Sequence, residues 1–209
     1  LGMINDVPMT IVGRPTLPAN NMAELRTWIN ANKGKINLAN AGLGAASHLC
    51  GLLFQQAVAV DMATIPYKGT APAMTDLMAN QVDLMCDQTT NTTQHIKAGT
   101  VKMYGVTTKS RIKSMPDQPS LAESGLKDFE VVVWHGMYAP KGTPPEVVKK
   151  FGDAMRVALK DPAFASRMAE LGAEPIAESR QTPEGLKTFL GTEVTKWGAV
   201  IKAAGQFAD

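Results

Sequence analysis

The amino-acid sequence predicts an α/β protein. Strand-like and helix-like segments alternate from the first residues to Trp134. Capping residues, glycines or prolines mark most of the changes between them. The composition agrees: 44% of the 209 residues are apolar and the mean hydropathy is −0.08. That is an ordinary globular balance, with enough apolar surface for one large or two small domains.

The elements follow in order. Met9–Val12 reads as a strand. Asn21-Met-Ala-Glu24 resembles a capping box and opens a helix with Met22, Leu25 and Ile29 on one face, which Gly34 is placed to end. Ile36–Ala39 is a short strand, and the glycine-bearing stretch Asn40–Ser47 leads into a helix expected to turn Leu49, Leu52, Leu53 and Ala57 inward. Met62–Ile65 is the next strand. Pro66-Tyr-Lys-Gly follows it, and Thr70 is placed to cap a helix with Pro72 in its first turn. Val82–Cys86 reads as a buried strand that ends in the polar run Asp87–Gln94. A short helix through Ile96 then stops at Gly99, and Val101–Thr107 is a further strand.

Ser120-Leu-Ala-Glu123 is a second capping box, and Val131–Trp134 the last clear interior strand. Amphipathic helices then dominate. Thr143-Pro-Pro-Glu146 opens one with Val148, Phe151, Met155 and Leu159 inward. Phe164, Met168 and Leu171 define the next, and Leu186, Leu190, Val194, Trp197 and Ile201 form the stripe of the last.

Several function classes are excluded early. The net charge is only +2 and the basic residues are scattered, which argues against nucleic acid or an acidic membrane surface as the main partner. No apolar run approaches the roughly 18 residues of a membrane span. His48, His95 and His135 lack any paired spacing, and two cysteines are too few for a zinc site, so no metal or other cofactor is expected. No basic and apolar leader opens the chain, which begins inside a strand, so a preceding segment is expected to be missing.

The stretch around Gly42-Leu-Gly44 admits three readings. A dinucleotide fingerprint would want a third glycine where Ser47 stands and an acidic residue ending the second strand, whereas Asp61 precedes it. A plain strand-to-helix turn is possible. So is an anion cradle, because amides at a helix N-terminus face outward there. A catalytic use of Ser47 or Cys50 with His48, oriented by Asp87, is disfavoured. Adjacent helical side chains diverge by about 100°, so Ser47 and His48 cannot easily bond each other.

Tyr67 offers a hydroxyl and Lys68 a cation, or else one packs and the other is solvated. The run from Asp87 through Thr89 to Thr93 sets polar groups just after a buried strand, where open α/β sheets bind ligands.

The order Gly-x-Gly-x-x-Ser-His-Leu, Pro-Tyr-Lys-Gly, Ala-Pro-Ala, Gln-Val-Asp and His-Ile-Lys-Ala-Gly resembles the substrate-binding proteins of tripartite tricarboxylate transporters, the Bug or TctC-type receptors. The likeness continues through Pro116-Asp-Gln-Pro-Ser, Ala139-Pro-Lys-Gly-Thr-Pro and Leu171-Gly-Ala-Glu-Pro to Trp197, essentially the whole chain.

The resemblance implies a type II periplasmic-binding-protein fold, two lobes joined by crossover strands that close on a small carboxylate. It implies one lobe over 15–130 and another from 1–14 with 131–209. That other lobe is expected to be incomplete at its N-terminus, because the family's Pro-Gly-Gly loop is absent from this sequence. An isolated portion of this kind is expected to leave some of its core exposed. A non-enzymatic periplasmic receptor is implied, with a small organic carboxylate and membrane permease subunits as partners; a small-molecule-modifying enzyme using Ser47, His48 or Asp87 is the rival.

Relatives often carry Asn or Ser where this chain has Leu43, Ala45 and Ala46. A carboxylate is therefore expected to rest on backbone amides 44–47 with the Ser47 hydroxyl, beside a ligand body with some hydrocarbon. The full expected site is Ala39, Asn40, Gly42, Gly44, Ala45, Ala46, Ser47, His48, Tyr67, Lys68, Asp87, Thr89 and Trp134. Cys50 and Cys86 are placed near one cleft edge, either as a disulfide suited to an oxidising compartment or as two buried thiols.

Overall fold

The computed structural model describes residues 1–204. They divide into two compact units, Pro8–Val132 and Leu1–Val7 with the chain from Val133 onward. The resemblance implies boundaries at 14/15 and 130/131 instead. They shift because the first strand, β1 (Gly2–Gly13), is far longer than the expected Met9–Val12, and its second half pairs inside the larger unit. The stretch 205–209, assigned by that resemblance to the smaller unit, lies outside the described residues.

In the larger unit the chain runs α1 (Met22–Ala31), β2 (Asn37–Asn40), α2 (Ala46–Val58), β3 (Ala63–Pro66), α3 (Thr70–Met78), β4 (Leu84–Gln88), α4 (Thr89–Lys97) and β5 (Lys102–Val106). The sheet order is β3-β2-β4-β1-β5. Strand β2 is parallel to both β3 and β4, and β1 is antiparallel to β4 and β5. The C-terminal ends of β2, β3 and β4 therefore gather at one edge.

The chain leaves β2 toward β3 and leaves β4 in the opposite direction, toward β5, which makes the gap between β2 and β4 a topological switch point. Right-handed crossovers set α2 on one face of the sheet and α3 and α4 on the other. Packing agrees. On the α3 face Val12, Ala39 and Met85 pack with Ala73, Met74 and Leu77, and Ile96 of α4 joins them. On the α2 face a Cβ added to Gly51 would lie 3.0 Å from Leu38.

Several local expectations need correction. Helix α2 buries Ser47, His48, Cys50, Gly51 and Phe54, while Ala57 is exposed and Leu49, Leu52 and Leu53 are half-buried. This helix is apolar nearly all round, so periodicity could not fix its inner face. Cys50 fixes it, by a disulfide to Cys86 in β4 with the Cα atoms 6.0 Å apart.

Thr70 is the first residue of α3 rather than its cap, which is Gly69. The polar run is mostly helix: Thr89 begins α4, and the Thr92 and Thr93 hydroxyls bond the carbonyls of Gln88 and Thr89. Ser120 and Glu123 do form a reciprocal capping box, with bonds of 3.1 and 2.8 Å, but it closes only a turn. The first capping box holds: the Asn21 side chain accepts from the Glu24 amide at 2.9 Å, and Met22, Leu25 and Ile29 are the buried face of α1.

The smaller unit joins the first half of β1 to β6 (Val132–Met137) and β7 (Glu174–Pro175). Its helices are α5 (Pro145–Leu159), α6 (Pro162–Glu170) and α7 (Pro183–Ala204). Gly152, Met155 and Leu159 are the buried residues of α5. Phe151 and Val194, both expected inside, are 58% and 64% exposed. The apolar arcs of these helices are wider than the surfaces they cover within this unit.

Candidate functional site

The gathered strand ends carry three helix N-termini, those of α2, α3 and α4. Their N-cap residues are Ala45, Gly69 and Gln88, and none makes a side-chain capping bond. By contrast α1 and α6 are capped by Asn21 and Asp161, while α5 of the smaller unit, like these three, has no side-chain cap. An uncapped first turn leaves amides without helical acceptors and the positive end of the helix dipole unopposed. Three such ends meet where ligands bind in open α/β sheets.

The loop into α2 is built from its own side chains. The Asn40 Oδ1 accepts from the Gly42 amide at 2.9 Å, the Ser47 Oγ accepts from Ala41 at 2.9 Å, and the His48 Nδ1 accepts from Gly44 at 3.1 Å. The Ala45 amide donates to the Gly42 carbonyl at 3.1 Å. Gly42 and Gly44 have φ of +126° and +77°, which makes glycine the fitting residue at both. A Cβ on Gly42 would also come within 3.4 Å of the Tyr67 carbonyl.

The amides of residues 44 and 45, expected to hold a ligand, are thus committed inside the loop. Those of Ala46 and Ser47, in the first turn of α2, have no intrahelical acceptor. The Asn40 side chain is 2% exposed, and its Nδ2 has no hydrogen-bond partner.

Across the switch point stands Asp87, also 2% exposed. Its Oδ1 accepts from the Gln88 amide at 2.7 Å and from Asn91 Nδ2 at 3.3 Å, and the Thr70 side chain adds to the lowering influence on the same carboxyl. The Oδ2 has no partner. Burial pushes this carboxyl above its ordinary range, against the smaller lowering effect of those bonds. Beside it Thr10 of β1 meets Thr92 of α4, oxygen to oxygen, at 2.9 Å. The sequence pattern gives no sign of Thr10 here, marks Thr70 only as a helix cap and includes Asn91 only within the polar run after Cys86. Only its position in a strand beside the polar run could have drawn attention to Thr10.

The other expected residues fall as follows. Ala39 is in the core, and Thr89 is fully buried at the start of α4. The Tyr67 hydroxyl donates to Asp76 at 2.7 Å, so it belongs to α3 rather than to an open site. Burial first, then the bond and charge of Asp76, push Tyr67 up to about 12. Lys68 is exposed. Trp134 lies in the smaller unit, packed edge-on to Phe189 at 5.3 Å and donating to Glu193 at 3.3 Å. Leu43, expected beside the ligand, is 55% exposed.

A Ser-His-Asp relay is not set up here. Such a relay needs an Nδ1–H donated to the carboxylate. The His48 Nδ1 instead accepts an amide proton, and the Ser47 Oγ accepts another. Among the described residues no three His, Cys, Asp or Glu side chains group as a metal would require.

Comparison with known proteins identifies the family. Residues 1–206 match the family model described as the tripartite tricarboxylate transporter family receptor. A UPF0065 protein from the TAR-I ttuE-ttuC' intergenic region of Agrobacterium vitis is 46% identical over 206 residues, covering 99% of this chain and 60% of that protein. The solved structure of the periplasmic binding protein BugD is 52% identical with a TM-score of 0.92, covering 98% of this chain and 68% of that one. MatC from Rhodopseudomonas palustris, solved with bound malate, is 31% identical with a TM-score of 0.90 over 96% of this chain and 68% of its own.

A further R. palustris protein, solved with adipate, is 28% identical with a TM-score of 0.91, covering 98% of this chain and 67% of that one. The chain thus spans about two thirds or less of the length of these relatives. On the strength of the whole-chain match, it belongs to the tripartite tricarboxylate transporter receptor family.

Proposed function

We propose that this chain is the ligand-capturing part of a periplasmic, non-enzymatic receptor that binds a small organic carboxylate and delivers it to the membrane permease of a tripartite transporter. One observation carries the reading: the uncapped N-terminus of α2 at the β2/β4 switch point, with two first-turn amides and, at the end of β2, the unpartnered Asn40 Nδ2. A carboxylate there would accept from Ala46, Ser47 and Asn40. Gly42 and Gly44 shape the loop that brings those donors together, and Ser47 and His48 hold it by accepting its other amides. Family membership and the malate and adipate bound by two structural neighbours support the same ligand class.

Calorimetric titration with a panel of mono- and dicarboxylates tests this. Binding of at least one acid without turnover is the expected result. Substituting Ala45→Asp, which puts a competing carboxylate at the α2 cap, should abolish that binding. Product formation, or binding that survives Ala45→Asp unchanged, contradicts the reading.

A further inference from the structure

Two buried side chains flank the switch point with a hydrogen-bonding atom unused, and the atoms have opposite character. Asn40 Nδ2, at the end of β2, is a donor; Asp87 Oδ2, near the end of β4, is an acceptor. The parallel register pairs Leu38 with Leu84 and Ala39 with Met85. Alternation along these strands then turns Asn40 toward α2 and Asp87 toward α3 and α4. The two groups stand at the same end of the sheet, on its opposite faces, on paired strands roughly 4.8 Å apart. A small molecule would meet both by lying across the strand ends.

Leaving a buried polar atom unmatched is costly, and a buried carboxylate without a cation is costlier still. Among the described residues no cation pairs with Asp87, and its Oδ2 receives no donor. The Gln88 amide and Asn91 Nδ2 both serve Oδ1.

We infer that Asp87 is a specificity-determining residue that selects carboxylates bearing a hydrogen-bond donor, a hydroxyl or an ammonium, within a few carbons of the carboxylate. The ligand carboxylate satisfies Asn40 and the α2 amides, and its donor satisfies Asp87 Oδ2. This rests on the carboxylate-receptor reading above and adds the substrate class. An unsubstituted acid fills the first half of the crevice and leaves Oδ2 unmatched.

The test is calorimetry on the 209-residue chain with two matched sets: succinate, malate and aspartate; glutarate, 2-hydroxyglutarate and glutamate. In at least one set a donor-bearing acid should bind about tenfold more tightly than its unsubstituted partner, the effect of one hydrogen bond to a charged group. The Asp87→Asn variant should reduce that ratio to about threefold or less while the unsubstituted acid binds at least as well as before. Whether hydroxyl or ammonium is preferred identifies the donor. Equal affinity across each set in the wild-type chain overturns the inference and leaves the receptor reading standing, as does a ratio unchanged in Asp87→Asn. Failure of every acid to bind overturns both.

Discussion

At one end of β4 Asp83 is enclosed by partners, and at the other end, four residues on, Asp87 is not. Asp83 Oδ1 accepts from Arg14 Nε at 2.9 Å and its Oδ2 from the Asn37 amide at 2.9 Å. Its backbone bonds Arg14 and Asn37 as well, each at 3.0 Å. That end of the sheet is a closed structural joint among β1, β2 and β4. Among the described residues no cation pairs with Asp87, which is buried with one oxygen unmatched beside helices that lack side-chain caps. The same residue type, on one strand, serves stability at one edge and is held against stability at the other. Sites that break local rules without internal compensation are where function is found.

Four experiments probe this contrast. The edge that forgoes caps is braced by the Cys50–Cys86 disulfide, which closes a loop of 36 residues. By the chain-entropy relation, replacing both cysteines with alanine should cost about 4 kcal/mol in urea unfolding, the largest effect expected here. A loss under about 1 kcal/mol would show that the brace is not needed. Next, Arg14→Ala strands the Asp83 carboxylate at the closed edge and should cost about 2 kcal/mol. If it costs nothing, the two edges do not differ as described.

Third, the capped and uncapped helices can be exchanged. Asn21→Ala should destabilise by about 1 kcal/mol, whereas Ala45→Asp, at a backbone φ of −65° and ψ of 158° suited to a cap, should stabilise by up to about 1 kcal/mol. The same Ala45→Asp change should remove ligand binding, a gain in stability at the expense of function. Fourth, Asp87→Asn should raise thermal stability at neutral pH. Burial lifts the folded-state value of Asp87 above its unfolded one, so between the two the folded chain holds more protons than the unfolded chain. Stability contributed by Asp87 is therefore lost as pH rises through that window. The advantage of Asp87→Asn should shrink as pH falls toward about 4, the ordinary carboxylate range. An advantage independent of pH would show that burial of the charge is not its source.

Much of this fold was legible in the sequence, and the failures have physical causes. The strands of the larger unit and helix α1 were readable because apolar periodicity and the Asn21–Glu24 box point the same way. The inner face of α2 was not, because Leu49, Leu52 and Leu53 compete with Cys50 and Phe54 for it, and the disulfide decides. In the smaller unit, Phe151 and Val194 fit their helical stripes yet stay exposed, since periodicity reports an apolar arc and not what covers it.

At the candidate site the glycine loop and Asp87 were identified from their residue types and strand-end positions. Which amides stay free was not readable. It depends on side chains of Asn40, Ser47 and His48 turning back onto their own loop, a matter of three-dimensional geometry rather than pattern.

The most direct test is an amide-resolved NMR titration of the 209-residue chain with the tightest-binding carboxylate. The backbone N–H signals of Ala46 and Ser47 and the side-chain Nδ2 of Asn40 should shift most, while Gly44 and Ala45, whose amides are already bonded within the loop, should move little. Saturable binding that leaves residues 40–48 unperturbed would contradict the site.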